Sequence, residues 1–375
     1  SYLLIAVLLA VSIVLAACQP AATPTPVPTP TPKPTEAAKP TTPPEPTAAP
    51  KKLTFALVTK ALNNPFWDMM YAGAKQVAEE HGIELIYLAP TKPNNLEEQT
   101  RLVDDLIARK VDGIVLVPVD SAGIVPVIER ANQAGIPVAT ANTKAFGGKV
   151  ITFSAIENYE AMTLVAEYMV QKLGGKGKVV ILEGATGSQT AIDRKKAIDD
   201  VLAKYPDIQV LASQTADFQR AKGMQVMENL LQTYPEIDAV LACNDEMALG
   251  AIEALEAAGR LSKTLVSGFD ANNDALKAIY EGRMVVSCDQ RPGKQAGDAI
   301  LALIDYINGK PVPERIVTQA TVVDKSNIMD YADRIGVTPT TSKKLTFALV
   351  TKALNNPFWD MMYAGAKQVA EEHGI

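Results

Sequence analysis

The sequence predicts an α/β protein made of two doubly wound lobes, each a parallel sheet covered by helices. Two observations support this prediction. Short apolar runs alternate with amphipathic helical patterns from residue 53 to residue 307, and this alternation is typical of strand–helix–strand units. Most of the apolar runs are continuous rather than alternating, as expected for parallel strands that are covered on both faces.

The predicted strands form two groups on either side of a chain crossover near residues 150–156. The strands are 53–59, 83–88, 113–119, 136–141, 178–182, 208–214, 239–243, 264–269 and 284–288. The predicted helices are 66–81, 96–109, 122–134, 158–173, 190–204, 219–234, 245–258, 272–281 and 293–307. In such sheets ligands bind beyond the carboxyl ends of the strands, so the residues that follow each strand are the candidates for a binding site.

The first 18 residues are typical of a signal peptide. Residues 2–17 are almost wholly apolar and end in Ala16-Ala17-Cys18, which resembles the bacterial lipobox. This predicts an exported protein, lipid-anchored through Cys18 to the outer face of the cell membrane, in the periplasm or at the cell surface. The alternative is an uncleaved membrane anchor with an incidental cysteine. Because no basic stretch precedes the apolar run, we expect the sequence to begin inside the signal peptide.

Residues 19–51 are predicted to be a disordered linker rich in proline and threonine. Twelve of the 25 prolines lie between Pro20 and Pro50. Proline at this density excludes helix and sheet and favours an extended, solvated chain. Such a linker would hold a domain away from the membrane surface.

Residues 343–375 repeat residues 51–83 letter for letter. Structural repeats normally diverge, so we interpret the copy as an artefact of sequence assembly or a recent duplication, with a deliberate swap element as the alternative. Both copies encode the same strand and helix, and one lobe has room for one of them. The first copy closes a shorter loop, so we expect the second copy to be displaced or loosely docked.

Composition excludes several classes of function. A net charge of −6 and a pI near 5.2 argue against a nucleic-acid partner. The two histidines, His81 and its copy His373, leave little scope for histidine catalysis or a zinc site. Cys243 and Cys288 are predicted to be buried thiols, with a disulfide between them as the alternative. The glycines at 184 and 187 match no nucleotide-binding motif, and no cofactor is predicted.

One segment resembles a calcium loop and is predicted not to be one. Asp270, Asn272, Asp274 and Glu281 match positions 1, 3, 5 and 12 of such a loop. The sixth position, which requires glycine, is Ala275, and the following residues have a helical pattern. No metal site is therefore predicted, with calcium here as the alternative.

Polar and aromatic residues follow most of the predicted strands. Phe66 and Trp67 lie next to each other after the first strand, where helix capping by Asn64 does not explain them. The other candidates are Asn142, Thr143, Arg194, Asp217, Phe218, Asn244, Asp270 and Gln290. Carboxylates and amides bond to hydroxyl groups, arginine donates to sugar oxygens, and aromatic faces stack on sugar C–H faces. These residues predict a neutral, polyhydroxylated ligand.

Several segments are similar to the periplasmic ribose-binding protein family, the sugar-binding type I solute receptors of ABC transporters. They are LNNPFW, LASQTADFQRAKGMQVMENLL, NDEMALGAIEAL and GFDANNDALKAI, and the resemblance extends from Lys52 to Val323. It implies two lobes joined by three crossovers, 52–156 plus 291–319 and 157–290 plus 320–340. It also implies a monomer that closes on a monosaccharide or polyol and delivers it to a permease with its ATPase. A sugar-binding sensor for a chemoreceptor or a quorum signal is the alternative.

The resemblance also implies which residues contact the ligand. Carried over by motif, they are Asn64, Phe66, Trp67, Arg194, Phe218, Asn244, Asp270 and Gln290. Ribose binders of this family have an Asp-Arg pair where this sequence has Asn142 and Thr143, so another pentose, a hexose or a sugar alcohol is expected as readily as ribose. An enzyme would need a placed acid–base pair. The resemblance instead makes the strand-end aspartates hydroxyl acceptors or helix caps, and no catalysis is predicted.

Overall fold

The computed structural model describes residues 52–338 and 357–372, and in the second range the side chains of residues 361–369. The predicted signal peptide with Cys18 and the predicted linker lie outside the described residues. The strands are β1 (Thr54–Val58), β2 (Glu84–Leu88), β3 (Gly113–Leu116), β4 (Val138–Ala141), β5 (Val150–Ala155), β6 (Gly177–Glu183), β7 (Ile208–Thr215), β8 (Ala239–Ala242), β9 (Leu265–Ser267), β10 (Val286–Asp289), β11 (Arg315–Val317) and β12 (Thr321–Asp324).

The helices alternate with these strands over most of the described chain. They are α1 (Pro65–Glu80), α2 (Leu96–Ala108), α3 (Val125–Gln133), α4 (Asn158–Leu173), α5 (Gln189–Leu202), α6 (Arg220–Thr233), α7 (Asp245–Ala257), α8 (Asn273–Glu281), α9 (Pro292–Ile307), α10 (Ala332–Ile335) and α11 (Pro357–Glu372). Among the described residues, none of these helices combines the length and apolar character needed to span a membrane.

The strands form two six-stranded sheets of matching topology. The first has the order β11-β5-β4-β3-β1-β2 and the second β12-β10-β9-β8-β6-β7. All pairs are parallel except β10 with β12. In each sheet the first strand lies between the second and the third, so the strand order reverses there. This is the point where doubly wound sheets bind ligands.

Both faces of the first sheet are buried. Phe55 and Leu57 of β1 pack against α1 and α9 on one face, while Ala56 and Val58 pack toward α2 and α3 on the other. Successive side chains of a strand point to opposite faces, so an uninterrupted apolar run is what a doubly covered strand requires. The continuous apolar pattern of the sequence therefore identifies these strands correctly.

The chain passes between the two sheets three times. The passages lie between β5 and α4, between β10 and α9, and between β11 and β12. The predicted fold class, two doubly wound lobes joined by three crossovers, is confirmed. One detail is corrected, since residues 150–155 form strand β5 and the crossover predicted there follows it. Strands β11 and β12 have no counterpart among the predicted strands.

Helices α1 and α9 of the first lobe cross at glycines. A Cβ atom on Gly73 would lie 2.3 Å from the Cα atom of Gly293, so the two backbones touch at this point. The first copy of the repeat supplies β1 and α1 to the lobe. In α11, from the second copy, residues 361–369 are all exposed.

Candidate functional site

A cavity that is partly open to solvent lies between the lobes at the carboxyl ends of the strands. Nine of the ten predicted ligand contacts line it: Asn64, Phe66, Trp67, Asn142, Arg194, Phe218, Asn244, Asp270 and Gln290. Residues far apart in the sequence converge here because each follows a strand of one of the two sheets.

Arg194 is the central cation of the second lobe's wall and is 2% exposed. Its Nε donates to Asn158 Oδ1 at 3.0 Å and its Nη1 to the carbonyl oxygen of Cys243 at 2.8 Å. Its guanidinium carbon lies 3.9 Å from the centre of the Phe269 ring, and Nη1 lies 3.5 Å from Asp270 Oδ1. These contacts hold the guanidinium in one orientation, which leaves its remaining N–H groups placed for a ligand.

Asp270 connects Arg194 to Gln290, which lies where the chain passes from one lobe to the other. Gln290 Nε2 donates to Asp270 Oδ1, and Asn142 Nδ2 donates to Gln290 Oε1 at 3.1 Å. Burial raises the pKa of Asp270, while the Arg194 guanidinium opposes this shift. A row of polar contacts therefore runs from the first lobe to the second along one wall of the cavity. Hydrogen bonds join Asn142 to Gln290 and Gln290 to Asp270, and an ion pair joins Asp270 to Arg194.

The first lobe contributes the aromatic wall at the start of α1. Asn64 caps the helix, accepting from the Phe66 backbone N–H at 2.9 Å, and Pro65 occupies the first helical position, where its missing N–H is not needed. The Phe66 and Trp67 rings lie edge to face, 4.9 Å apart. Capping thus fixes the helix start and so positions both rings at the cavity.

The opposite aromatic, Phe218, is held by an unusual backbone. Asp217 and Phe218 both have positive φ angles, and the Phe218 ring lies where a Cβ atom on Gly184 would be. Eight non-glycine residues of the described chain have positive φ, and five of them line the cavity: Asn94, Asn142, Asp217, Phe218 and Asp270. Such backbone conformations cost free energy and concentrate where function requires a fixed geometry.

Thr143 is the one predicted contact that does not line the cavity. It is fully buried, and its hydroxyl lies 2.9 Å from the Thr190 hydroxyl and 3.1 Å from Asn142 Oδ1. Thr190, which does line the cavity, comes from α5 in the second lobe. Thr143 therefore supports Asn142 from behind and bridges the lobes.

Other interlobe hydrogen bonds show that the cleft is closed. Asn94 Nδ2 donates to the Asp217 carbonyl at 2.9 Å, and the Ser121 N–H donates to the Gly187 carbonyl at 3.0 Å. Gly187 has a φ of +83°, and a Cβ atom there would lie 2.0 Å from Asp120 Oδ2. The lobes touch at this edge, and the positive φ of Gly187 favours glycine there.

Lys60 is the principal site residue that sequence reasoning missed. It lies two residues beyond β1, is 2% exposed and lines the cavity. Its Nζ donates to Ser188 Oγ of the second lobe at 2.9 Å. Burial, and then the nearby Arg194 charge, lower the pKa of Lys60 to about 7, against a smaller opposing effect of Asp270. Inspecting every residue after the first strand would have found it.

The two cysteines are buried in the protein interior, and one acid of the calcium-like segment is paired with an arginine. Cys243 and Cys288 are free, buried thiols, and burial raises the pKa of each to about 12. Asp274 lies in α8 and pairs with Arg220 at 2.8 Å. Within the described residues, no group of three or more His, Cys, Asp or Glu side chains is arranged to hold a metal ion.

Comparison with known proteins identifies the architecture. Residues 55–311 match the model of the periplasmic binding protein domain. This chain belongs to the periplasmic binding protein family. The ribose import binding protein of Bacillus subtilis (strain 168) is 38% identical over 266 residues, which cover 71% of this chain and 85% of that protein.

Two solved structures resemble this periplasmic binding protein closely. One is an ABC transporter periplasmic solute binding protein from Actinobacillus succinogenes 130z with bound D-allose, 33% identical with a TM-score of 0.71, covering 75% of this chain and 100% of that one. The other, from Bacillus halodurans C-125 with bound myo-inositol, is 31% identical with a TM-score of 0.71, covering 77% and 100%. The predicted ribose-binding-like family is confirmed, and its members are substrate-binding proteins of transporters rather than enzymes.

Proposed function

We propose that this protein is the solute-binding lipoprotein of an ABC sugar importer. It captures one pentose, hexose or sugar alcohol between its lobes and delivers it to a membrane permease, while Cys18 anchors it to the outer face of the membrane. The observation that supports this most directly is the closed cavity, in which two aromatic walls face a fixed arginine–aspartate–glutamine row. The structures of relatives with bound D-allose and myo-inositol support a ligand that carries several hydroxyl groups on a ring.

The mechanism follows from the division of the site between the lobes. Phe66 and Trp67 belong to the first lobe, and Arg194 and Asp270 to the second. A ligand contacts both sets only when the lobes close, so it binds the closed form more tightly and shifts the population toward it. The permease then recognises the closed shape, and its ATPase supplies the energy for import.

A thermal-shift screen of the purified full chain tests the proposal. D-ribose, D-allose, D-xylose, D-galactose, myo-inositol and xylitol form the panel. At a hundredfold excess over Kd, a ligand that binds only the folded protein stabilises it by about 2.7 kcal/mol, roughly a 4–5 °C shift for a folded part of this size. We expect at least one member to produce such a shift, and no shift from any member would contradict a monosaccharide or polyol ligand.

Variants at the site show whether the shift arises in the cavity. Arg194→Ala and Asp270→Ala should each abolish it, because each leaves the other charge buried without its partner. Phe218→Ala, at a half-buried residue, weakens the shift with less disturbance of the lobe. Arg101→Ala, at an exposed residue on α2, is the matched control and should retain the full shift. Full binding by both charge variants would refute the assigned site.

A further inference from the structure

Lys60 is an ammonium group enclosed between the lobes, with no carboxylate partner among the described residues. Its one hydrogen bond in the described structure is to the Ser188 hydroxyl, and its Nζ lies 5.8 Å from the centre of the Phe218 ring. A buried cation is normally paired with an anion, because removing it from water is costly. Of the neighbouring charges, the positive charge of Arg194 has the largest effect on the pKa of Lys60, and it has the same sign as the ammonium group.

The groups that enclose Lys60 come from the opposite lobe. Lys60 follows β1 in the first lobe, whereas Ser188, Arg194 and Phe218 all belong to the second. Closing of the cleft therefore creates this environment, and opening returns the ammonium to water. The other charged groups of the cavity behave differently, because Arg194 and Asp270 pair within one lobe, as do Asp217 and Lys222.

We propose that Lys60 couples closing of the lobes on a sugar to the release of a proton. The inference rests on the proposed function, since it concerns the same cavity. In an open, solvated cleft, lysine keeps its ordinary pKa near 10.5, and in the closed cleft burial lowers the pKa of Lys60 to about 7. Between these two values the open form holds the proton and the closed form does not.

The two pKa values of Lys60 determine how sugar affinity changes with pH. Below about pH 7 both forms are protonated and affinity does not change through Lys60. Above that value closing releases a proton, so affinity rises with pH, by up to about tenfold per unit. Asp270, with the buried acids Asp245 and Glu246 beside it, lies in the second lobe and pairs with Arg194 of the same lobe. Any proton that these acids exchange on binding is also measured in the Lys60 variants, so the difference between wild type and variant gives the part that depends on Lys60.

Calorimetric titration of the full chain with D-ribose, D-allose and myo-inositol tests the inference. Heats measured at pH 8 in phosphate and in Tris, two buffers of different ionisation enthalpy, give the number of protons released per sugar bound. We expect a release approaching one proton in the wild type, and an affinity that increases between pH 7 and pH 9.

Two substitutions separate titration from structure. Lys60→Gln keeps an N–H donor toward Ser188 but cannot titrate, and Lys60→Arg keeps the charge at every accessible pH. Both should lose the proton release that Lys60 contributes and the rise in affinity above pH 7, while Lys75→Gln, at an exposed residue on α1 paired with Glu79, should behave as wild type.

The outcomes are distinguishable. Sugar binding by the wild type without proton release, or equal release by wild type and Lys60→Gln, overturns this inference alone. Failure of every sugar to bind at any pH overturns the proposed function and the inference with it.

Discussion

Helices α1 and α11 have the same sixteen-residue sequence and different surroundings. In α1, Met70 is fully buried against the sheet, whereas its copy Met362 in α11 is 41% exposed. Gly73 of α1 touches the backbone of α9, whereas no described atom lies within 4 Å of a Cβ placed on Gly365 of α11. The sequence therefore determines that a helix forms in both places, but tertiary packing alone determines which apolar face is buried.

The largest difference between the copies is expected at the methionines. Met70→Ala removes a fully buried side chain and should lower the free energy of unfolding by about 2–5 kcal/mol. Met362→Ala, at a surface position, should change it by less than about 0.5 kcal/mol. Urea unfolding followed by circular dichroism measures both. Equal losses from the two substitutions would mean that the two helices exchange places in the first lobe.

A smaller difference is expected at the glycines. Gly73→Ala forces a Cβ atom to within 2.3 Å of the Gly293 Cα, and overpacking of this kind costs about 1–3 kcal/mol. Gly365→Ala meets no described neighbour and improves local helix propensity by up to about 1 kcal/mol. Melting temperatures of the two variants should therefore fall for the first and stay level or rise for the second. A fall for Gly365→Ala would reveal a packed partner for α11.

The smallest effect is expected on deletion of residues 343–375. The first copy already supplies β1, α1 and the Asn64, Phe66 and Trp67 side chains of the cavity. Deleting the second copy should leave sugar affinity unchanged, as measured by calorimetric titration against the full chain. A collapse of affinity would show that the second copy contributes to the site.

Much of this molecule can be predicted from its sequence because the signals are local. Continuous apolar runs identify the buried strands, and the rule that ligands bind beyond strand ends leads from the sequence alone to Arg194, Asp270 and Gln290. Strands β11 and β12 escape prediction because they are only three and four residues long and partly exposed. Their place depends on pairing with β5 and β10, which no local pattern encodes.

The missed site residues depend on contacts between distant parts of the chain. Lys60 resembles an ordinary surface lysine in the sequence, whereas in the structure it is buried and its ammonium group bonds to Ser188 of the other lobe. Thr143 follows a strand as predicted, but it is fully buried, with its hydroxyl 2.9 Å from that of Thr190 across the lobes, and it does not line the cavity. Which strand-end side chains touch the cavity is decided by the opposing lobe, and a single sequence carries no direct record of that pairing.

The glycine contact at the edge of the closed cleft bears on how long a ligand stays bound. Because Gly187 of the second lobe lies directly against the Asp120 side chain of the first, the two edges touch at this point when the cleft is closed. A methyl group at residue 187 would hold the edges apart and shorten the residence time. Differences among related binders act mainly through dissociation rates, so we expect a change at this backbone position to alter how long captured cargo stays bound rather than how fast it is captured.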